Sequence, residues 1–376
     1  MTEMAAMAPL SVDEEPMAKK LAFDAVLFTT VLVLVGFGLT AVYSASVATA
    51  RDQGSEGALM LTQFFAAVAG ILLMWILMHF DYQLFGRKPV VWSLFALTVA
   101  LLLLALISPT LNGANRWLII AGMSFQPSEL AKFALVPLLA YQLAKTDTLR
   151  DNRRFVLPAI LTAGSLATLV LLGRDLGTAA MLIAMTALLL FFAGLPLWRI
   201  LAAAALVGPL VAAAIYFEPY RRARWLAFLD PAADPLGTGF QALQSLIAVG
   251  SGGIFGLGLG QGLQKLHFLP YPHSDFVFSI VAEELGLLGC LILVALFGVL
   301  LWRGARAGHR APDALGRYLA WGLTGGLCVQ AAIHMSVALA LLPATGITLP
   351  FVSYGGSSLV ASLAASGVIL NVSQHA

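Results

Sequence analysis

Charged residues are scarce in this chain: Asp, Glu, Lys and Arg make up 11% of its 376 residues, whereas about a quarter of a soluble domain is charged. Hydrophobic residues make up 60%, and the mean hydropathy is +0.90. This composition leaves no stretch that indicates a separate soluble domain. The formal net charge is only +2, which is too small to indicate a nucleic-acid partner.

Cysteine is also scarce: the chain has two, Cys290 and Cys328, and both lie inside apolar runs. They are expected to be small core residues rather than a disulfide or a metal pair. No Gly-Lys dipeptide occurs, which excludes a Walker A phosphate loop. A cleavable signal pattern is missing too, because the apolar run after Lys20 is too long for a signal peptide. Residues 1–20 are therefore predicted to be a disordered cytosolic tail.

Apolar runs of about 20 residues recur along the whole chain, which is typical of a polytopic membrane protein. We predict an all-α fold with about ten transmembrane helices in one membrane domain, 21–372. A long loop, 218–275, is predicted on the outer face. The predicted spans are 22–48, 60–79, 91–108, 126–144, 155–173, 176–194, 198–217, 276–301, 318–342 and 350–371.

The basic residues predict the orientation of these spans. With a cytosolic N-terminus, 13 of the 21 Lys and Arg residues fall on the inside and 8 on the outside. Four of those 8 lie in the long loop, and long loops count less in the positive-inside rule. Both termini are therefore predicted to be cytosolic, so the polar segments 108–126, 173–177 and 218–275 face outwards.

The most informative segment is 257–289, where a polar loop enters an apolar span. Ionisable groups at membrane depth cost about 2.5–3.5 kcal/mol each on insertion scales, so they indicate a functional site. Asp275 directly precedes the apolar residues and is the candidate general base. His273, Ser274 and Asp275 do not form a catalytic triad, because adjacent residues cannot take that geometry. The ionisable residues of this segment are Lys265, His267, His273, Asp275, Glu283 and Glu284.

A second polar group lies around the start of the fourth span. Arg116 precedes it, and Glu129 and Lys132 are three residues apart, which predicts that they share one helix face. An ion pair that only stabilises a helix end is the simpler interpretation, whereas a polar pocket fits a position inside a bilayer. Ser124 or Ser128 is expected to cap this helix.

Asp175 interrupts what would otherwise be one long apolar stretch. The segment 174–178 is either a simple hairpin or a place where Asp175 binds a substrate hydroxyl or, with Glu129, a divalent cation. The glycine-rich run 250–262 is either closely packed backbone or a set of bare N–H groups beside Lys265 that bind pyrophosphate. The composition alone leaves both alternatives open.

Taken together and in this order, these motifs resemble the SEDS family (shape, elongation, division and sporulation) of bacterial cell-wall polymerases. The resemblance covers nearly all of residues 20–372. The chain resembles the division (FtsW-type) branch more than the elongation (RodA-type) branch. The segments 220–231 and 244–248 and the polar N-terminal tail carry this closer resemblance. The matching segments are 43–46, 115–117, 124–132, 175–178, 256–275, 282–286 and 348–358.

The resemblance implies an enzyme of the bacterial cytoplasmic (inner) membrane that polymerises lipid II on the outer face and releases undecaprenyl pyrophosphate. The family's essential aspartate falls on Asp275, its Glu–Lys pair on Glu129 and Lys132, and a further aspartate on Asp175. The implied partners are lipid II, undecaprenyl-linked glycan, a class B penicillin-binding transpeptidase and other divisome membrane proteins.

The chain departs from the family pattern in the loop before Asp275 and beside Asp175. The residues concerned are Arg174, where proline is usual, His267, where an acidic residue is common, Tyr271 and Pro272, where Glu-Ala is usual, and Ser274, where threonine is usual.

We therefore predict a peptidoglycan glycosyltransferase with Asp275 as its base. Positive charge must meet the departing pyrophosphate. The predicted substrate-binding residues are Arg116, Glu129, Lys132, Asp175, Lys265 and His273, with the basic run 221–224 as a further source of charge. No cofactor is expected with certainty, although a divalent cation is compatible. The rival interpretations are a transporter that flips lipid-linked precursors and a non-catalytic membrane scaffold.

Overall fold

The computed structural model describes residues 23–53, 58–109, 115–120, 123–145, 152–266 and 268–376. The predicted tail, 1–20, and His267 lie outside the described residues.

Helices dominate the described chain, and the ten long ones follow the ten predicted spans in order. Two shorter helices, α8 and α9, lie in the long loop. The helices are α1 (Ala25–Gln53), α2 (Ala58–His79), α3 (Lys88–Ile107), α4 (Pro127–Ala144), α5 (Asn152–Leu172), α6 (Leu176–Phe192), α7 (Leu197–Tyr216), α8 (Pro219–Leu229), α9 (Phe240–Ser251), α10 (Val277–Arg310), α11 (Ala314–Ala338) and α12 (Gly356–Ser373), with a 3-10 helix at Tyr82–Gly86. The predicted all-α membrane class is confirmed.

Five of the long helices, α1, α2, α3, α10 and α12, are long and apolar enough by themselves to cross a membrane, within the described residues. The apolar parts of α5, α6 and α7 are shorter. Large apolar side chains such as Trp75, Leu103 and Ile292 are exposed on the bundle surface. A lipid-facing surface accounts for them, because hydrocarbon is the medium in which such side chains need no protein cover.

Two features differ from the predicted spans. The connection before α4 contains a short antiparallel hairpin, β1 (Leu118–Ile120) and β2 (Met123–Phe125). The last helix begins at Gly356 rather than 350, because Phe351 has a left-handed φ of 65°, a conformation that cannot continue a right-handed helix.

The two ends of the described chain lie together. The backbone N–H of Asp24 donates to Ser373 Oγ at 3.4 Å, and Arg303 Nε donates to Asp24 Oδ2 at 2.7 Å. These bonds join the start of α1, the end of α12 and the second half of α10. We call this the termini end of the bundle.

The long helix α10 is broken at Gly286, whose φ of 65° and ψ of −163° are not helical. Residues 250–262, which we call the glycine strap, supply the backbone hydrogen bonds that the break removes from α10. The bonds run from Leu257 N to Glu283 O (3.0 Å), Gly258 N to Glu284 O (3.0 Å), Leu287 N to Gly253 O (2.9 Å) and Leu288 N to Ile254 O (3.2 Å). The break is therefore satisfied inside the protein, as a membrane requires.

Candidate functional site

Three helices begin close together at the end of the bundle opposite the termini, and we call this the site end. The N–H of Gln126, before α4, donates to Ser357 Oγ in α12 at 3.0 Å. Ser128 Oγ in α4 donates to Asp175, the N-cap of α6, at 3.4 Å. Ser353 Oγ, before α12, donates to the carbonyl of Ser274, just before α10, at 2.7 Å. The first turns of α4, α6 and α12, and the approach to α10, therefore form one polar region.

Both carboxylate oxygens of Asp175 accept hydrogen bonds from neighbouring groups. Its Oδ1 accepts from Thr178 N at 3.0 Å, and its Oδ2 accepts from Thr178 Oγ1 at 2.9 Å and from Gln126 Nε2 at 3.1 Å. Arg116 Nη1 lies 4.0 Å from the same Oδ2. The carboxylate thus caps α6 and fastens it to α4, and its predicted contact with substrate stays a prediction.

The prediction that Ser124 or Ser128 caps α4 is wrong. The N-cap is Gln126, which makes no side-chain capping bond, and Pro127 is the first helical residue. Ser128 turns towards Asp175 instead, and Ser124 belongs to β2. The N–H of Glu129, at the third helical position, donates instead to the carbonyl of Gln126 at 3.1 Å, so it needs no serine cap.

Glu129 and Lys132 form an ion pair of 2.9 Å on one face of α4, as their spacing predicts. Both are buried, with relative exposures of 6%. Lys132 Nζ also donates to Gln330 Oε1 in α11 at 2.8 Å, and Gln330 Nε2 donates to the carbonyl of Thr348 at 2.8 Å. The pair is thus linked to a polar chain that crosses from α4 through α11 to the segment before α12.

The segment 344–349 runs between the parts of the site. A methyl group at Gly177, beside Asp175, would lie 2.8 Å from the carbonyl of Thr345. One at Gly346, whose φ is +71°, would lie 3.7 Å from Asp275 Oδ2. The glycines therefore let this segment pass close to both aspartates.

Asp275 differs from the other carboxylates of this region. Its side chain is half-buried, and among the described residues none makes a hydrogen bond or an ion pair with it. Its backbone N–H donates to Tyr271 O at 3.2 Å, which fixes the residue just before α10. The negative charge of Asp275 acts on two histidines, His273 and His334.

His273 packs edge-on against Tyr354, with ring centroids 5.3 Å apart. The N–H of Tyr354 donates to the carbonyl of His273 at 2.8 Å. Burial lowers the pKa of His273 below its ordinary value, and the nearby charge of Asp275 only partly opposes this shift. Its Nδ1 is buried without a partner in the described structure, and its predicted contact with substrate stays a prediction.

His334 is a member of this region that the sequence reasoning missed. It lies one turn after Gln330 in α11 and is 1% exposed. Its Nδ1 is 2.8 Å from the carbonyl of Ile347. A histidine inside an apolar span is a signal that could have identified it, since ionisable residues at membrane depth are rare without a function.

The ammonium of Lys265 and several N–H groups of the glycine strap are already bonded to other groups of the protein. Lys265 Nζ forms a 2.6 Å ion pair with Glu284 Oε1 and donates to Ser44 Oγ at 2.9 Å. Glu283 Oε1 accepts from the N–H of Leu263 at 2.8 Å. The close-packing interpretation of the strap is therefore the one that the structure shows, because several of its N–H groups already bond α10. The role of Lys265 in binding substrate stays a prediction.

The carboxylates do not fit a divalent cation between Glu129 and Asp175. Donors occupy the oxygens of Asp175, and the ammonium of Lys132 is already paired with Glu129. A hard cation needs oxygens without competing donors. Within the described residues, no three His, Cys, Asp or Glu side chains lie close enough to hold a metal.

The basic run 221–224 lies in α8, and the side chain of Arg224 reaches the site. Arg224 Nη1 donates to the carbonyl of Ala344 at 2.8 Å, at the start of the segment that passes Asp275. Arg222 lies 6.0 Å from the ring of Tyr216. Arg224 therefore lies at the edge of the site, beside the segment 344–349, rather than among the buried carboxylates.

Comparisons with known proteins agree with this architecture. Residues 24–376 match the FTSW_RODA_SPOVE family, described as cell cycle protein. The chain is 40% identical to a probable peptidoglycan glycosyltransferase FtsW of Geobacter sp. (strain M18), over 93% of this chain and 96% of that protein. It is 37% identical to stage V sporulation protein E of Bacillus subtilis (strain 168), over 95% and 98% of the two chains.

Solved structures show the same fold. A chain from a peptidoglycan synthase complex that coordinates polymerization and crosslinking has a TM-score of 0.77 and 34% identity, over 94% of this chain and 98% of that chain. The rod shape determining protein RodA of Thermus thermophilus has a TM-score of 0.69 and 30% identity, over 94% and 97%. With its helices, its polar site end and these relatives in agreement, this chain belongs to the FtsW, RodA and SpoVE family of cell cycle proteins.

Proposed function

We propose that this protein is a peptidoglycan glycosyltransferase that polymerises lipid II, with Asp275 as the general base. One observation carries the proposal: Asp275 is the carboxylate of the site end whose oxygens no described residue engages, whereas Asp175, Glu129 and Glu284 are all hydrogen-bonded or paired. A base must keep a lone pair free for the proton that it takes. The names of the relatives support this assignment.

The proposed reaction joins two lipid-linked sugars. Asp275 takes the proton of the acceptor's GlcNAc C4 hydroxyl while that oxygen forms a bond to the anomeric carbon of the growing chain's terminal MurNAc. The bond from that carbon to the phosphate oxygen breaks, and undecaprenyl pyrophosphate leaves with the electron pair. A half-buried carboxylate suits this step, because it is reachable by substrate and shielded from bulk water.

The leaving group is a dianion or more, and the site end offers positive potential to it. The N-terminal turns of α4, α6 and α12 meet there, and helix N-termini carry partial positive charge. The side chain of Arg116 is 30% exposed, and its Nε has no partner in the described structure. We therefore propose that Arg116 contacts the pyrophosphate, with His273 nearer the sugar hydroxyl.

The decisive experiment uses purified protein with a class B penicillin-binding transpeptidase in detergent, given labelled lipid II and scored for glycan polymer. Asp275→Asn keeps the size and polarity of the side chain but removes its basicity, so polymerisation should fall by roughly 10² or more. Asp234→Asn, in an exposed turn of the long loop, is the matched control and should polymerise normally. A folded Asp275→Asn protein with near-normal activity would refute the assignment.

The alternative is a flippase for lipid-linked precursors, and the break in α10 is the observation that favours it, because many transporters bind their substrates at broken helices. Flipping has no meaning in detergent, where no compartments exist. Translocation of lipid II in liposomes, with no polymer in detergent even when the transpeptidase is present, would reverse the choice.

We also propose the cellular setting. The relatives and the count of basic residues support the bacterial cytoplasmic membrane with both termini in the cytosol, and the similarity to a peptidoglycan synthase complex supports a penicillin-binding partner. The FtsW name of the relatives supports a role in cell division beside other divisome membrane proteins.

A further inference from the structure

The buried imidazole of His334 has one nitrogen in use and one without a partner. Its Nδ1 lies 2.8 Å from the carbonyl of Ile347. A carbonyl can only accept, so Nδ1 carries the hydrogen, and Nε2 of the neutral ring is a bare acceptor. Nε2 is buried and has no partner among the described residues. A buried acceptor left unpaired costs free energy, so its presence in the fold calls for an explanation.

The negative charge of Asp275 also acts on this imidazole. The two residues flank the same short stretch of chain: Ile347 accepts the bond from His334, and the preceding Gly346 passes close to Asp275 Oδ2. Gln330 lies one turn before His334 in α11. Its side-chain amide already accepts a hydrogen bond from Lys132 and donates one to the carbonyl of Thr348. His334 and Asp275 therefore lie beside the same segment, 346–347, and no described residue makes a hydrogen bond with His334 Nε2.

The chemistry of the two groups is complementary in one protonation state. Ionised Asp275 has no donor, and neutral His334 offers only a lone pair at Nε2, so the two groups do not hydrogen-bond before the reaction. Once the carboxylate holds a proton, it becomes a donor. We propose that His334 is a positioning residue for Asp275, whose bare Nε2 accepts the hydrogen bond of the carboxylic acid formed when Asp275 takes a proton from the acceptor hydroxyl.

This inference rests on the proposed function and adds one residue to it. The proton moves from the sugar hydroxyl to Asp275 and stays there until solvent or the departing pyrophosphate removes it, while His334 gains no proton itself. The hydrogen bond orients the carboxyl group and stabilises its protonated form, which makes Asp275 a stronger base for the step. Protonation of His334 would abolish the acceptor.

Two substitutions separate the nitrogens of His334. His334→Asn places an amide N–H near the position of Nδ1, which keeps the donor for Ile347 but removes the acceptor. His334→Gln extends an amide oxygen to the region of Nε2, which keeps an acceptor but weakens the bond to Ile347. Both are compared with the wild type and with Asp275→Asn by measuring kcat and KM for lipid II polymerisation in detergent between about pH 5 and pH 9.

His334→Asn is expected to lower kcat by roughly tenfold, the scale of one hydrogen bond, with little change in KM. The acid limb of its rate profile is expected to move to lower pH, because the protonated carboxyl has lost a stabilising partner. His334→Gln is expected to keep more of the rate. A purely structural histidine predicts the opposite order, with Asn tolerated, Gln impaired and both acid limbs unchanged, and that result would overturn the proposal.

The same measurements separate the two levels of inference. Failure of the wild type to make polymer refutes the proposed function, whereas Asp275-dependent polymer with a wild-type rate and acid limb in His334→Asn refutes only the role of His334. Thermal stability in detergent checks folding. Should His334→Asn not fold, His334→Gln decides: a low rate with an unchanged acid limb overturns the proposal, and a rate near wild type supports it.

Discussion

Asp175 and Asp275 both lie at the site end, each beside the start of a helix, yet the hydrogen-bond donors around them differ and suit them to different roles. Asp175 accepts bonds from Thr178, Gln126 and Ser128, and an acceptor that is fully used cannot also take a proton easily. Asp275 has no such partners among the described residues. Burial also separates the two, since Asp175 is buried and Asp275 is half-buried, and the donors around each carboxylate explain the difference in role.

Glu129 and Lys132 are expected to act as one unit. Glu129→Ala or Lys132→Ala leaves the other charge buried without its partner, a loss of about 3–5 kcal/mol for a broken buried pair. Each single variant should therefore lose polymerisation activity and stability, and the double variant should lose less than the two single effects combined. The measurement is a double-mutant cycle on rate and thermal stability. Lys145→Ala, at the far end of α4, is the control, and strictly additive losses would contradict a shared role.

His273 predicts a pH dependence of stability. Burial lowers its folded-state pKa below the ordinary value of 6.5, so the unfolded chain binds a proton at a higher pH than the folded protein does. The contribution of His273 to stability is therefore present above about pH 6.5 and is lost as the pH falls through the lowered folded-state pKa. Thermal unfolding in detergent should show this loss, and His273→Gln should flatten it. The exposed His79→Gln serves as control, and an unchanged slope in His273→Gln would contradict the argument.

Several of these residues could be predicted from the sequence, and others could not, for a physical reason. Asp275, Glu129 and Asp175 are ionisable residues next to apolar runs, a local signal. The partners of Lys265 are not local in the sequence: Lys265 forms an ion pair with Glu284 and donates to Ser44, which is 221 residues away. No spacing rule reports such a contact, so the sequence alone does not show that Lys265 is paired, and its role in binding substrate stays a prediction. His334 lies inside an apolar span, and its bond to Ile347, beyond the end of its own helix, has no signature in the local residue pattern.

The broken helix α10 and the glycine strap form one structural element. The sequence predicted a span from 276 and a glycine-rich run before it, but not that each completes the hydrogen bonds of the other. Gly252 and Gly256 allow this approach, because a methyl group at either would collide with the backbone of α10. Pairing between backbone groups depends on φ and ψ, which the residue pattern does not report beyond the presence of glycine.

Gly286→Ala is expected to disrupt this element. Its φ and ψ lie in a region that only glycine adopts, and an added methyl group would lie 2.6 Å from the carbonyl of Ile254. Strain of this kind costs about 1–3 kcal/mol before the collision is counted. The yield of folded protein and the unfolding temperature should both fall.

Gly298→Ala is the matched control, since it lies in the same helix and nothing is within 4 Å of the added methyl group. It should change stability by no more than about 1 kcal/mol, in the direction of greater stability, because alanine favours the helix. Equal behaviour of the two variants would show that the break at Gly286 is not needed.

At the scale of the whole molecule, the sequence was most informative. Ten spans were predicted and ten long helices follow them in order, because runs of apolar residues report membrane helices directly. The boundaries were less accurate: α10 continues to Arg310, nine residues beyond its predicted end. Polar residues extend a helix past the hydrocarbon without any change in backbone geometry, so hydropathy alone ends the span too early.

The predicted orientation can be tested by labelling single cysteines in a background with Cys290→Ala and Cys328→Ala. Leu236, in the long loop, is 89% exposed, so Leu236→Cys should react with a membrane-impermeant maleimide in intact spheroplasts. Ala376→Cys should react only after the membrane is opened, because the basic residues predict a cytosolic C-terminus. Protection of Leu236→Cys together with labelling of Ala376→Cys would invert the proposed topology.

The glycine strap also bears on how the chain enters the membrane during synthesis. The strap and the residues that follow it, Leu263 to Lys265, are made before Glu283 and Glu284, and in the folded protein they bond both carboxylates. Two acidic residues in an emerging span would oppose its partition into lipid by several kcal/mol if left alone. In the predicted topology the strap reaches the outer face first, and we expect it to bond the two carboxylates as α10 leaves the translocon. Loop and helix then mature as one unit. A defect in the strap is expected to appear first as failed insertion rather than as lost catalysis.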